Sequence, residues 1–192
     1  MSYANKKKSS GFSLIELLIT LGILVITLTI ALPGFREFFD RERLINATEE
    51  VYGMLQKARM ESMSRSDEIY VNFASDTGTG AWSYGLREGT PCNPSIEDPA
   101  LASACVITIV NGDATVDVND KVMMRQTNEP HPDITLSSTI PNFEFDPIRG
   151  TATAGEITLT SALDKKLQVK VMPLGNISVC SPDGQIPSYR DC

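Results

Sequence analysis

The longest uninterrupted apolar stretch of the chain lies close to its N-terminus. Residues 12–32 are 21 positions that carry a single ionisable side chain, Glu16. At about 1.5 Å rise per residue, a helix of this length spans roughly 31 Å, close to the hydrocarbon thickness of a bilayer. Lys6, Lys7 and Lys8 precede it. The pattern predicts a membrane-spanning helix with the lysines in the cytoplasm and most of the chain on the other side.

An amphipathic pattern follows the apolar stretch. Pro33 and Gly34 come first, and a proline inside a continuing helix removes one backbone hydrogen bond, which predicts a kink. Over residues 35–65, apolar positions recur at steps of three and four between charged residues, as on one face of a helix. These positions are Leu44, Ala47, Val51, Met54, Leu55, Ala58 and Met63. Such a stripe needs a covering surface, so we expect a sheet to pack against it.

After residue 66 the pattern favours short strands and turns. Residues 69–73 and 82–86 alternate in polarity around a turn at residues 75–80, which predicts a hairpin. Residues 89–104 contain three prolines and are predicted to form a loop. Further short strands are predicted at residues 106–110, 115–118, 122–125, 134–136, 142–145, 157–159, 167–171 and 177–179. A long helix followed by a β-rich half places the chain in the α+β class.

The charge distribution makes nucleic acid an unlikely partner of the β-rich half. The whole chain has a formal net charge of −7. Without the three N-terminal lysines, 14 basic residues remain against 24 acidic ones, a net charge of −10. An acidic domain of about 160 residues is large enough for a hydrophobic core but has no general attraction for phosphate. Nucleic-acid binding would require a local basic patch, and the sequence has none.

The four cysteines form two close pairs along the chain, Cys92 with Cys105 and Cys180 with Cys192. Four cysteines allow three connectivities, and the sequence alone does not choose between them. A zinc site would need different spacing and more histidines, whereas His131 is the only histidine. We therefore expect disulfides and an oxidising compartment.

No catalytic or metal-binding constellation is predicted. His131 lies between Pro130 and Pro132, in a loop without a nucleophile nearby in sequence, so we expect a solvated loop histidine. The residues considered as calcium ligands are Asp113, Asp117, Asn119 and Asp120. Their spacing differs from that of an EF-hand loop, and polar turns explain them. We expect no enzyme activity, no metal and no cofactor.

The N-terminal motif accounts for the acid in the membrane helix. The sequence KKKSSG, ending at Gly11, is followed by FSLIELLI from Phe12, and together they resemble the N-terminus of type IV prepilins and type II secretion pseudopilins. The resemblance implies that a prepilin peptidase cuts between Gly11 and Phe12 and that the new amino group is N-methylated. It also implies that Glu16 neutralises the Phe12 amine of a neighbouring subunit and that Pro33 is a point where the helix bends during assembly.

Two further stretches resemble the GspH/FimT group of H-type pseudopilins and minor pilins. They are residues 55–65 and residues 145–150, the latter followed by 155–159. The implied fold is type IV pilin-like, a long N-terminal helix packed on an antiparallel β domain. It divides the chain into a leader (1–11), a transmembrane and assembly helix (12–33), an amphipathic helix half (34–66) and a β-rich head (67–192).

The resemblance also favours one of several possible functions over the others. The segment from Cys180 to Cys192 resembles the disulfide-closed C-terminal loop of type IV pilins, which favours a minor pilin that helps to initiate or cap a filament. The alternatives are an H-type pseudopilin of a type II secretion system, a DNA-binding FimT-like pilin and a plain membrane-anchored domain. Some FimT proteins bind DNA through an arginine-containing element, and residues 175–178 correspond to it but contain no arginine.

The resemblance implies a set of partners and a cellular location. The expected partners are other minor and major pilins in a hetero-oligomeric filament, the prepilin peptidase and the inner-membrane assembly platform. Before assembly, the protein is expected to cross the inner membrane once with its C-terminal domain in the periplasm. It then enters a pilus or pseudopilus.

Overall fold

The computed structural model describes residues 13–76, 78–109 and 117–192, without the side chains of residues 30–33 and 118. One helix, α1 (Leu14–Arg65), contains 52 residues. The internal contacts of the chain divide it between Phe39 and Asp40 into two units. The long N-terminal helix expected from the sequence is confirmed.

In the first unit, α1 has an apolar and exposed surface. Every described side chain from Leu14 to Thr29 is exposed. The hydroxyl groups of Thr20, Thr27 and Thr29 donate hydrogen bonds to carbonyl oxygens three or four residues earlier. These bonds satisfy the polar groups inside the helix, as an apolar environment requires. Among the described residues, no single helix meets a length-and-hydropathy test for a membrane span, but one bent pair, Leu14–Thr29 with Gly34–Arg65, meets it together.

In the second unit, the remainder of α1 buries the predicted stripe. Its fully buried apolar side chains are Leu44, Ala47, Val51, Leu55 and Ala58. Met63 was expected in the stripe but is exposed, so that prediction is wrong. Ser62 takes the buried position, since it lies four residues after Ala58 and therefore on nearly the same face of the helix. Met63 lies five residues after Ala58, a rotation of about 500°, and its side chain therefore points away from the core. After Arg65, Ser66 adopts a φ of 56° and Asp67 donates its N–H to the Ser62 carbonyl, which closes the helix end.

Within the described ranges, ten strands pair in antiparallel fashion to form three sheets. They are β1 (Ile69–Ser75), β2 (Trp82–Glu88), β3 (Val106–Thr108), β4 (Lys121–Met123), β5 (Arg125–Thr127), β6 (Thr135–Ser138), β7 (Asn142–Phe145), β8 (Gly155–Thr160), β9 (Lys166–Val171) and β10 (Ile177–Cys180). The strand orders are β5-β2-β1-β7, β10-β9-β8-β6 and β3-β4. The two larger sheets contribute alternate apolar side chains to one core with α1. The predicted β1–β2 hairpin is confirmed, with Ile69 opposite Glu88 and Ser75 opposite Trp82.

Two predicted strands differ from the observed ones. Residues 110–116 lie outside the described chain, and Val118–Asp120 is a 3-10 turn, so the strand predicted at 115–118 is not observed there. The strand predicted at 122–125 is divided into β4 and β5 at Met124. The Met124 N–H donates to Cys105 and its carbonyl accepts from Leu86. Gly85 permits this approach, since a Cβ there would lie 2.6 Å from the Cβ of Cys105.

Candidate functional site

Glu16 lies in the first turn of α1 as the structure describes it, with an exposed side chain. Within the described part of the chain, no residue forms a hydrogen bond or ion pair with its carboxylate. Its neighbours along the helix include the exposed leucines Leu14, Leu17 and Leu18. A carboxylate on such a surface is unfavourable in lipid, so it requires a cationic partner.

The other residues predicted to act in assembly are only partly visible. Gly11 and Phe12 lie outside the described residues. Pro33 lies within the bounds of α1, and its side chain is not described. The structure therefore places one member of the predicted Glu16–Phe12 pair, and the pairing remains a prediction.

Polar contacts join the part of α1 from Asp40 onward to loops and strand ends of the second unit. Asp40 accepts a hydrogen bond of 2.6 Å from the Ser161 hydroxyl, and Arg43 forms an ion pair with Asp133. Farther along, Arg65 donates to the Thr108 carbonyl at 2.7 Å and pairs with Glu88 at 3.3 Å. Together with the apolar stripe, these contacts hold this part of α1 against the sheets.

His131 belongs to the same set of contacts, and its predicted exposure is wrong. Its side chain is only 12% exposed, and its Nε2 lies 2.9 Å from a carboxylate oxygen of Glu50 on α1. The loop around it folds onto the helix, which sequence reasoning missed because the two residues are 81 positions apart. Burial and the charge of Glu50 also raise the pKa of Tyr84. The arrangement is a polar junction between helix and sheet.

The cysteines pair sequentially, Cys92 with Cys105 and Cys180 with Cys192. This is one of the three connectivities that the sequence allows. Between Cys180 and Cys192 the chain is partly docked. Ile186 is fully buried, and the Tyr189 hydroxyl donates a 2.6 Å hydrogen bond to Glu49 of α1. Burial and this hydrogen bond raise the pKa of Tyr189, so the phenol stays a neutral donor.

The C-terminal loop also has a run of exposed residues before its buried Ile186. Residues 182–185 are all exposed. The disulfide and the Tyr189 contact hold both ends of this short segment, so it presents a fixed surface to solvent.

The segment that corresponds to the DNA-binding element of FimT proteins is packed against its own chain. Gly175 is buried, and a Cβ there would lie 2.4 Å from the Gly150 carbonyl oxygen. Ile177 is buried in the core. The nearby Asp183 carboxylate lies 3.9 Å from the Lys166 amine. The segment thus contributes no arginine of its own, and two of its four residues are buried against the rest of the chain.

The residues considered as calcium ligands form turns where they are described. Asp113 lies outside the described chain. Asp120 accepts the Asp117 N–H at 3.0 Å, and Asp117 accepts the Asn119 N–H at 2.7 Å. In the ranges that the structure describes, no group of three or more histidine, cysteine, aspartate or glutamate side chains is arranged to hold a metal ion.

Two family models match the chain. Residues 47–175, which are 129 of its 192 residues, match the family described as type II transport protein GspH. Residues 6–32 match the prokaryotic N-terminal methylation motif. A comparison with curated protein sequences found no match.

Solved structures of pilin-like proteins are similar to the chain. The type IV minor pilin FimU of Pseudomonas aeruginosa is 17% identical, over 74% of this chain and 91% of FimU, with a TM-score of 0.47. The minor pseudopilin EpsH from the type 2 secretion system of Vibrio cholerae is 12% identical. That match covers 73% of this chain and 98% of EpsH, with a TM-score of 0.44.

Proposed function

Because the chain belongs to the type II transport protein GspH family and carries a prokaryotic N-terminal methylation motif, we propose that it is a minor pilin of a type IV pilus. Membership of this family makes it a pilin-like subunit that assembles with other pilins. The proposal adds the kind of filament, and a role in initiating or capping it. The protein acts as a structural subunit and not as an enzyme.

The observation that carries the proposal is the isolation of Glu16 on an apolar helix surface. Every described side chain from Leu14 to Thr29 is exposed, and Glu16 is the one ionisable side chain of residues 12–32. An apolar surface of this length is stable in a bilayer or against similar helices. A single acid on it favours a specific cationic partner at one position.

Processing by a prepilin peptidase creates that partner. Hydrolysis of the peptide bond between Gly11 and Phe12 removes the basic leader and leaves the apolar anchor in place. Gly11 has no side chain, so the protease approaches the backbone closely. The new amino group of Phe12, after N-methylation, is a cation at the start of the helix.

Assembly then pairs two neighbouring subunits. Glu16 of the incoming subunit neutralises the Phe12 amine of the subunit already in the filament. A buried charge pair contributes little net stability, but it penalises every register in which one charge is left unpaired. The assembly platform moves the subunit out of the inner membrane, and the helix bends at Pro33 as it packs.

The C-terminal loop supports a minor-pilin role. Its disulfide, Cys180–Cys192, and the Tyr189–Glu49 hydrogen bond attach it to the second unit, and residues 182–185 remain exposed. A fixed, exposed loop suits contact with a neighbouring subunit at the end of a filament.

Substitution of Glu16 tests the proposal in cells that express the protein from its own locus. We expect Glu16→Ala to be processed and N-methylated normally, as seen by mass spectrometry of the membrane fraction. Its amount in sheared filaments should fall by at least about 100-fold, because an unpaired buried charge costs about 3–5 kcal/mol.

Thr20→Val is the matched control for this experiment. Thr20 lies one helical turn after Glu16, and its hydroxyl donates a hydrogen bond to the Leu17 carbonyl of its own helix. We expect incorporation within about twofold of wild type. Normal incorporation of Glu16→Ala, with cleavage at Gly11 also dispensable, would contradict the proposal.

The second candidate is an H-type pseudopilin of a type II secretion system. The matching family, that of the type II transport protein GspH, favours it. Deletion of the gene separates the two candidates. Loss of pilus-dependent motility with normal secretion supports the minor pilin, and loss of secreted enzymes with normal motility supports the pseudopilin.

A further inference from the structure

The outer edge of β6 carries backbone groups that no described residue pairs. β6 is the last strand of its sheet, and on the side of β8 the Thr139 N–H donates to the Glu156 carbonyl at 2.9 Å. Successive residues of an antiparallel strand direct their N–H and C=O groups to opposite sides. Leu136 and Ser138 therefore direct theirs away from β8, and within the described ranges neither group has a backbone partner there.

The end of β1 carries a second row of unpaired backbone groups. Phe73 donates its N–H to the Pro141 carbonyl at 3.1 Å, but Pro141 has no N–H to donate in return. Ser75 directs its backbone groups to the same side, beyond the last residue of the chain that pairs with β1 there. Both rows line one cleft of about 430 Å³, between residues 73–75 and Leu136 and Ser138.

The chemistry of this cleft is that of a polypeptide backbone. Residues 139–141 complete its lining, and none of the described lining residues is charged. Apart from three hydroxyl groups, its polar atoms belong to the main chain, and Phe73 and Ile140 are partly exposed apolar side chains beside them. Its volume lies within the range of ligand-binding clefts. An occupant would be recognised by main-chain hydrogen bonds and apolar contact.

β6 also lacks the features that usually protect a free edge. Natural edge strands carry charged residues or proline, or are covered by another segment. β6 has the sequence TLSS. The β5 edge, in contrast, contains Arg125, and the chain just after β10 is covered, because Ser181 forms backbone hydrogen bonds with Arg190 and Cys192. An unprotected edge favours pairing with an added strand.

From this geometry we infer that the cleft binds a short extended segment of a different pilin subunit, which adds a strand to β6. An extended backbone has N–H and C=O groups along both edges, so it pairs with β6 on one side and with Phe73 and Ser75 on the other. The β6 of a second copy is not such a segment, because the β1–β2 hairpin lies beside it: a Cβ on Gly80 would lie 4.0 Å from the Thr135 Cγ2. The inference rests on the proposed role as a filament subunit.

Site-specific photocrosslinking of the full chain in cells tests this contact. p-Benzoylphenylalanine is incorporated at Ser75, an exposed residue of the cleft, and adducts in sheared filaments are identified by mass spectrometry after irradiation. We expect an adduct with one segment of a different pilin subunit. The same replacement at Leu174, which is exposed but lies outside the cleft, should give no adduct with that segment.

Ser138→Pro and Ser138→Ala form a matched pair in the background that carries the crosslinker at residue 75. Both lose the hydrogen bond from the Ser138 hydroxyl to the Ile140 carbonyl, but only Ser138→Pro also loses the outward N–H. We expect Ser138→Pro to lower the adduct yield by at least about fivefold relative to Ser138→Ala, since an acceptor of the added strand is left unpaired. If Ser138→Pro does not fold, the adduct at residue 75 in otherwise wild-type protein still decides the inference.

The outcomes separate this inference from the proposed function. Absence of the wild-type protein from sheared filaments would overturn the proposed function itself. Protein in filaments without an adduct at residue 75 would overturn only the strand contact. Adducts that join two copies of this chain, or adducts with lipid, would also overturn it. Equal yields in Ser138→Pro and Ser138→Ala, both folded, would show that the occupant does not pair with β6.

Discussion

Gly175 illustrates how the absence of one side chain permits a close approach between two loops. Its φ of 71° favours glycine, and a Cβ would lie 2.4 Å from the Gly150 carbonyl oxygen. A contact under 3 Å with backbone cannot be relieved by rotating a side chain. Gly89 has nearly the same φ, 72°, but no atom within 4 Å of its would-be Cβ.

We predict that Gly175→Ala and Gly89→Ala destabilise the protein by different amounts. Gly89→Ala should lower the free energy of unfolding by about 1–2 kcal/mol, the cost of a left-handed backbone conformation with a Cβ. Gly175→Ala should lower the free energy of unfolding by a further amount of about 1–3 kcal/mol beyond that loss, because the Gly150 loop must move. Urea denaturation of the full chain in detergent measures both. Equal losses would show that the Gly150 contact is relieved without energetic consequence.

At the scale of single residues, side-chain partners far apart in sequence were not predictable. Sequence reasoning placed His131 in a loop, and that was correct, but it missed Glu50. Likewise, nothing near Tyr189 in the sequence indicates Glu49, which is 140 positions earlier. Hydrophobic periodicity reports the face of an element, and it carries no information about which loop packs on that face.

At the scale of elements, α1 ends at a residue whose backbone conformation is unfavourable for its side chain. The helix closes through the Asp67-to-Ser62 hydrogen bond, which requires a left-handed residue at position 66. Ser66 takes that conformation, with a φ of 56°, although it has a Cβ. Glycine is the residue that most often occupies this position.

We therefore predict that Ser66→Gly raises the free energy of unfolding by about 0.5–1 kcal/mol, because the Cβ strain is removed. Ser64→Gly, two residues earlier within the helix, is the control. It should lower the free energy by about 0.5 kcal/mol, since glycine is the poorer helix former. Thermal unfolding of the full chain in detergent measures both, and destabilisation by Ser66→Gly would refute the proposed closure.

The positions of helices and strands were predictable where the local pattern of polar and apolar residues was strong. The helix end near Arg65, the buried stripe and the β1–β2 hairpin were predicted because each depends on neighbouring residues. The division of β4 from β5 was missed. It depends on the close approach of Cys105 to Gly85, which lie on other parts of the chain. The alternation of polar and apolar residues within 122–125 carries no information about that approach.

At the scale of the whole molecule, the disulfides restrain the chain at two places. Cys92–Cys105 and Cys180–Cys192 close loops of similar size, with sequence separations of 13 and 12. The second lies between β10 and the last residue, and the loop that it closes includes the Tyr189 contact with α1. Similar loop lengths mean similar entropy in the unfolded chain.

Replacing each cysteine pair with serine should lower the free energy of unfolding by about 2–4 kcal/mol. In the Cys180→Ser, Cys192→Ser variant, we also expect the C-terminal segment to become accessible to carboxypeptidase, because non-covalent contacts alone then hold it: buried Ile186, the Tyr189 hydrogen bond, and the backbone hydrogen bonds that Ser181 forms with Arg190 and Cys192. Urea denaturation and timed digestion check these outcomes, with the Cys92→Ser, Cys105→Ser variant as control. Equal digestion of both variants would mean that these non-covalent contacts hold the terminus without the disulfide.

The sequence by itself determined the apolar stretch with its single acid, the long helix, the α+β class and the family resemblance. All of these depend on local composition, on periodicity or on a contiguous motif. Only the tertiary structure decided which cysteines pair, that His131 is largely buried against Glu50, and that Asp40 accepts hydrogen bonds from the turn of residues 161–165. The last two are contacts between residues 81 and 121 positions apart, and they exist only once the strands have packed on the helix.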